Sequence, residues 1–225
     1  KGERFMSKIV LGVTSDGKPF AIDLVLLLET RLLLSANSGG GKSYTLRQLI
    51  EQIFGKVQII LVDREGEFKS LRDKYDFLLV GEGGDIPAHI GSARLLAEKL
   101  LESGVSAICD LYEAFRTRPI DRLAWVREFL MGLVDAPKHL WHDVVVIVDE
   151  AHIFCPEVAP KGQDMKERAI INGCKDAVVA LCTVGRKRGL AAVLATQRLA
   201  KLDKDASAEL LNRMIGMTME GQDVE

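Results

Sequence analysis

Seven short runs in this chain are apolar almost throughout, and they constrain the fold more than any other feature. They are "RLLLSA" (31 to 36), "VQIILVD" (57 to 63), "DFLLVG" (76 to 81), "VSAICDL" (105 to 111), "DVVVIVDE" (143 to 150), "LAAVLATQ" (190 to 197) and "RMIGMTM" (213 to 219). A strand with one wet face alternates apolar and polar residues, whereas a strand apolar on both faces must be covered on both. Crossover helices between parallel strands provide that cover. Stretches of helical period near 42 to 54, 92 to 103, 120 to 134, 164 to 185 and 205 to 212 fall between the runs. The alternation predicts an α/β fold, a mostly parallel sheet with helices on both faces. In "SARLLAEKLLES" (92 to 103) the apolar positions 93, 96, 97 and 100 form one stripe, with Ser92 placed as the N-cap.

Composition limits what such a chain can do. Its 225 residues, 48% of them hydrophobic, suit one well-buried core, so a single domain over 1 to 225 is expected. A formal net charge of −2 supplies no global basic field, and any nucleic-acid contact must come from a local patch. The four cysteines form no C-x-x-C pair, which argues against a zinc knuckle or a disulfide framework and for free thiols in a reducing cytoplasm. Asp23 interrupts "FAIDLVLLL", and Glu29 and Arg31 close it, well short of the roughly 18 apolar residues a membrane span needs. Loops rich in Gly or Pro are expected at 81 to 91 and 155 to 163.

Residues 36 to 43, "ANSGGGKS", fit the phosphate-cradle pattern G-x-x-x-x-G-K-[ST] except that Ala36 stands where the first Gly usually does. Alanine is compatible there if its φ is negative, because it adds only a methyl group. The run sits between a buried strand and a helix, the context in which loop amides and a helix N-terminus converge on an anion. Ser38, Gly39, Gly40, Gly41, Lys42, Ser43 and Tyr44 are therefore the candidate nucleotide-binding residues. Lys42 is placed to reach the β and γ phosphates, and the Ser43 hydroxyl to hold Mg²⁺.

A second motif supplies the chemistry. The strand "VVVIVDEAH" ends in Asp149, placed to bind Mg²⁺ directly or through water, and Glu150, placed to take a proton from an attacking water. An acidic pair at a strand end also occurs as a helix cap, but next to a phosphate cradle it argues for hydrolysis of a γ-phosphate. "LAAVLATQR" ends in Gln197, which would emerge beside that phosphate if its strand lies between the other two, or else cap a strand end. Before it, "VGRKRGL" places Arg186, Lys187 and Arg188 at a helix end closed by Gly189. Three cations exceed what capping needs, and one arginine could reach a neighbouring subunit's γ-phosphate.

The ordered set "ANSGGGKS", "IILVDREGEF", "VVIVDEAHIFCPE", "GRKRGLAAVLATQRLAKLD" and "NRMIGMT" resembles the HerA subgroup of the FtsK and HerA superfamily of P-loop translocases, over about residues 8 to 219. The resemblance implies a RecA-like core that binds ATP and Mg²⁺, assembles as a homo-hexameric ring, and drives double-stranded DNA through its channel, in this family commonly with a nuclease partner. It implies Lys42, Glu150, Gln197 and Arg186 as catalytic, Ser43 and Asp149 as metal-holding, and Asp63 and Glu67 as pocket residues in a segment where Arg64 and Glu65 replace the family's Pro and His. The family's small N-terminal β-barrel and C-terminal helical extension are not present, so the motor core of a longer protein is expected. Competing readings are a conjugation or secretion ATPase sharing the core, and a nucleotide-binding switch that hydrolyses little.

Other constellations are weaker. His139 and His142 lack a completing ligand set for a metal, and a polar surface turn is expected. Arg116, Arg118 and Arg122 form a basic cluster that either faces DNA or is a solvated face. His152, two residues past Glu150, either tunes it or caps the loop.

Overall fold

The structure, a computed structural model, describes residues 8–217. Its centre is a seven-stranded parallel sheet made of β3 (Leu32–Ser35), β4 (Gln58–Asp63), β5 (Leu78–Gly81), β6 (Ala107–Asp110), β7 (Val144–Val148), β8 (Leu190–Thr196) and β9 (Asn212–Ile215). The spatial order is β5-β6-β4-β7-β8-β3-β9. All seven expected runs form strands, although β9 starts and ends earlier than its run, of which residues 218 and 219 lie outside the described residues. A separate antiparallel hairpin, β1 (Lys8–Val13) with β2 (Pro19–Asp23), precedes the sheet.

Because side chains alternate across a strand, each apolar run feeds two cores. Ile60, Val62, Val144, Val146 and Val148 face a layer made by α3 (Ala93–Ser103), α4 (Pro119–Val134) and α6 (Met165–Thr183). Ile59, Leu61, Val145 and Ile147 face the other layer, built from α1 (Leu24–Thr30), α2 (Lys42–Ile53) and the hairpin's Ile9. Apart from β9 at the sheet edge, the strands are largely buried on both faces, as their lack of alternation requires. Two short helices, α5 (Ala151–Phe154) and α7 (Lys204–Ala208), complete the chain.

One stretch without an expected element is resolved, and two local expectations are corrected. The apolar stretch around Asp23 is a strand running into a helix, with the Asp23 carboxylate accepting from the Leu26 amide as an N-cap. The helix expected over 205 to 212 stops at Ala208, because Asn212 is drawn into register with Leu32 on the sheet edge and the Leu211 amide donates to Thr30 O. Ser92 occupies the cap position of α3, but its hydroxyl donates to His89 O and no side chain caps the helix.

The four cysteines are buried and free. His142 bonds Leu140 O and Gln58 Oε1, so the 139 to 142 segment is a polar turn. Among the described residues no helix is long and apolar enough to cross a membrane.

Helix α4 packs against both α3 and α6, and Gly132 permits its approach to α3. A Cβ there would meet Arg94 O at 2.7 Å and Ala97 Cβ at 2.8 Å. Alanine is the better helix former by ~1 kcal/mol, yet Gly132→Ala is expected to lower stability by about 1–3 kcal/mol because neither contact belongs to a flexible side-chain end. A urea midpoint at or above that of the wild type would contradict this.

Candidate functional site

The cradle occupies 36 to 43, between the end of β3 and the first turn of α2. Gly39 and Gly41 have φ of 76° and 88°, the left-handed region that glycine enters without strain. Gly40 is required by space, since a Cβ would lie 2.9 Å from Asn37 O and 3.0 Å from Ala36 Cβ. Ala36 itself does not have a positive φ. Its methyl fits because Gly216 faces it, where a Cβ would stand 2.7 Å away. The departure from the usual first glycine is thus matched by a glycine on the neighbouring strand's end. Ser38 and Tyr44 are exposed on the outer side of this loop and helix.

Lys42 points into the protein and is 5% exposed. Its ammonium donates to Asp149 Oδ1 and lies 3.0 Å from Glu150 Oε1. Burial alone would lower the ammonium's pKa, but the Asp149 carboxylate, followed by Glu150, outweighs it and holds the group above its ordinary value. The three residues meet because β8 lies between β3 and β7 and all three strands run the same way, so their carboxyl ends share one edge. Gln197 follows β8 at that edge, between cradle and acidic pair, as its condition required.

Glu150 is held in a left-handed conformation, φ 52° and ψ 43°, at the turn from β7 into α5. A non-glycine residue there stores strain of about 1–3 kcal/mol, which the surrounding contacts must sustain. His152 is one of them: its Nδ1 lies 3.3 Å from Glu150 Oε2 and 2.9 Å from Thr196 Oγ1. Burial holds the imidazole below its ordinary pKa despite Glu150, so near pH 7 it is a neutral ring whose placement orients the carboxylate. Thr196 also accepts the Arg198 amide, which ties the β8 end to the same carboxylate. Neither Thr196 nor the backbone strain carried a signal in the sequence. Beyond His152 opens a cavity of about 880 Å³, bordered by Ile153, Leu123 and Arg198. A smaller one of about 360 Å³ adjoins the cradle at Gly40, Lys42 and Thr45.

Glu67 is brought to the cradle, where it accepts the Ser43 hydroxyl at 2.6 Å, and its backbone carbonyl accepts from Arg47. Asp63 is instead fully buried, and its carboxylate accepts the amides of Glu65, Gly66 and Phe68. Its carboxylate folds the loop that delivers Glu67. The oxygen Oδ2 of Asp149 is sealed from solvent with no hydrogen-bond partner. Among the described residues no three His, Cys, Asp or Glu side chains cluster to hold a metal by themselves. A divalent ion at Ser43 and Asp149 would therefore need phosphate and water oxygens to complete its shell.

The arginines divide by position. Arg186 is exposed in a 3-10 turn before β8, at the amino edge of the sheet, where its carbonyl accepts the Gly189 amide, while its side chain is in none of the ion pairs found among the described residues. The seven residues of β8 separate it from its own cradle by about 20 Å. Arg188 lies over the Trp141 ring, 5.7 Å from its centroid, and 3.7 Å from Asp135. Arg198 follows β8 on the cradle's side.

A glycine cradle, a buried lysine and an acidic pair on one edge of a parallel sheet define a P-loop ATPase. Residues 9–109, a little under half of the chain, match the family model for the central domain of helicase HerA. The match contains the cradle, Asp63 and Glu67 and ends before β7. The fold is similar to VirB4 of Thermoanaerobacter pseudethanolicus, at 14% identity over 97% of this chain and 86% of that one with a TM-score of 0.61. It is also similar to the genome packaging NTPase B204 of Sulfolobus turreted icosahedral virus 2 in complex with ATP-gammaS, at 15% identity, 88% and 79% coverage and a TM-score of 0.54. The pCW3 conjugation coupling protein TcpA with ATPgS is 18% identical over 99% of this chain but only 57% of its own, with a TM-score of 0.56. No curated protein matches the sequence.

Desolvation, opposed by the Phe68 amide, pushes the Asp63 carboxyl up to about 7 from an ordinary 3.8. Its folded value lies above its unfolded one, so its contribution to stability is full below about pH 4 and is lost as pH rises through about 7. Asp63→Asn is expected to remove on the order of 1–3 kcal/mol of this fall. Urea melts between pH 4.5 and 8 that keep the wild-type slope would contradict it.

Proposed function

We propose that this chain is a single RecA-like ATPase domain, the Mg²⁺-dependent motor core of a ring-shaped, HerA-like machine that translocates or unwinds double-stranded DNA. The observation that carries the reading is the convergence of Lys42 on Asp149 and Glu150 beside a phosphate-sized loop. ATP phosphates on the amides of 38 to 44 would compete for the Lys42 ammonium, drawing it from the acidic pair toward the β and γ oxygens. That exchange releases Glu150, held by His152, to accept the proton of a water attacking the γ-phosphorus while the bond to the β-γ bridging oxygen breaks. Gln197 would orient that water. Ser43 and Asp149 would hold Mg²⁺, which supplies charge neutralisation on the phosphates, and Glu67 would steady Ser43.

Arg186 completes the site from a neighbouring subunit. Its place on the opposite edge of the sheet excludes action on its own cradle and suits a homo-hexameric ring in which one subunit's amino edge meets the next one's cradle. The match to the central domain of helicase HerA favours a DNA cargo, and a nuclease partner in end processing or antiviral defence and a cytoplasmic setting belong to the same proposal. VirB4 and TcpA share the fold and favour, as a second reading, a conjugation or secretion motor. Duplex DNA added to the ring should raise ATP turnover at least several-fold; no stimulation would support the second reading.

Glu150→Gln should lower kcat by about 100-fold or more while leaving ATP affinity within a few-fold, since only proton acceptance is lost. Turnover that persists would leave a nucleotide-binding switch as the better description. Arg186→Ala should lower kcat on a similar scale, and mixing it with Lys42→Ala subunits should restore part of the activity, because each supplies what the other lacks. Mixtures no more active than either variant would place the arginine elsewhere.

A further inference from the structure

A cradle holds the phosphates of a nucleotide and leaves its base to be placed elsewhere. The cavity of about 360 Å³ beside the cradle takes Gly40, Lys42 and Thr45 as one wall. It lies on the side of β3 away from the acidic pair, because its other walls are Phe20 of β2 and Met214, Ile215 and Gly216 at the end of β9. The larger cavity beyond His152 has no cradle residue in its lining. Phe20 is 41% exposed and Ile215 44%, and neither packs into either core. Single exposed apolar residues are ordinary, but two that border one concave site beside a phosphate loop make a slot for a flat ring. Strand β9 adds polar groups to it. It is the last strand of the sheet and pairs only with β3. The Gly216 amide donates to Ser35 O, toward β3, so by the alternation of a strand the N–H and C=O of Ile215 point to the open edge.

We infer that this cavity takes the base of the nucleotide, with Phe20 as its stacking platform and the open edge of β9 as its reader, and that it selects adenine over guanine. The inference rests on the ATPase reading above and adds to it the residues that set base specificity. Stacking on Phe20 holds any base, since every base has a π-face. Selection comes from the backbone. An N–H beside a C=O complements adenine, whose N7 accepts and whose N6 amino group donates. Guanine presents two acceptors there, N7 and O6, and its O6 would face the C=O. The volume stands at the low end of the range for ligand pockets, which suits one base. The hairpin, which adds no strand to the parallel sheet, thereby gains a place at the site.

The test is calorimetric titration of ADP, GDP and sodium pyrophosphate, each with Mg²⁺, into wild type, Phe20→Ala and Phe20→Tyr. Pyrophosphate occupies the cradle without a base, so it reports the phosphate site alone. Phe20→Ala should weaken ADP about tenfold, the scale of one stacked base, and leave pyrophosphate within about twofold, with Phe20→Tyr near the wild type. Wild type should prefer ADP to GDP by about tenfold, the scale of one two-point base contact. Ile215→Pro removes the outward N–H, spares the ladder to β3, and should bring ADP and GDP to within about threefold of each other. Equal ADP affinity in wild type and Phe20→Ala, with pyrophosphate bound by both, overturns the subsite and leaves the ATPase reading intact. Equal losses of ADP and pyrophosphate in Phe20→Ala mark a structural role and overturn it as well. GDP as tight as ADP in wild type overturns the selection of adenine. Wild type that binds none of the three overturns the ATPase reading and the subsite with it.

Discussion

The buried contact between the Lys42 ammonium and the Asp149 and Glu150 carboxylates joins the two halves of this molecule. It spans from the first turn of α2 to the end of β7, across β8, and each group is almost without solvent. A lysine in such a place is tolerable only because two acids face it, and the acids only because it faces them. The sheet order makes the contact possible. With β8 between β3 and β7 and all strands parallel, the cradle and the acidic pair open on one edge, about two strand spacings apart.

The same edge concentrates the local strain and polarity of the fold. Glu150 sits in left-handed backbone, His152 and Thr196 brace its carboxylate, and Asp63 gathers three amides to form the loop that carries Glu67 to Ser43. The opposite edge is plainer and bears Arg186 free of any ion pair among the described residues. On the proposed reading of a motor whose cradle is completed by a neighbour, one edge would hold the nucleotide and the other would offer a cation.

Much of this was legible in the residues. The seven apolar runs announced a doubly covered sheet, since only crossover cover explains strands without alternation. "ANSGGGKS" announced the cradle, because few other sequences free so much backbone just before a lysine and a helix. The hairpin and α1 were not legible, since the apolar pieces on either side of Asp23 are too short to show a period until Asp23 is seen capping a helix. The end of α7 was hidden for a similar reason: helical period continues past Ala208, and pairing with β3 overrides it.

The sequence by itself determined which residue types could do chemistry here: three glycines, a lysine, a serine and an acidic pair, each at the end or start of an element recognisable from its own residues. Local physics sufficed, because φ preference, strand burial and helix period act over a few residues. Only the tertiary structure decided how they meet. It put β8 between the two motifs, set the Asp63 carboxylate on the amides of the loop that carries Glu67, and made room for Ala36 at Gly216. Those outcomes depend on contacts between residues distant in the chain, and no local preference encodes which distant group a side chain will find.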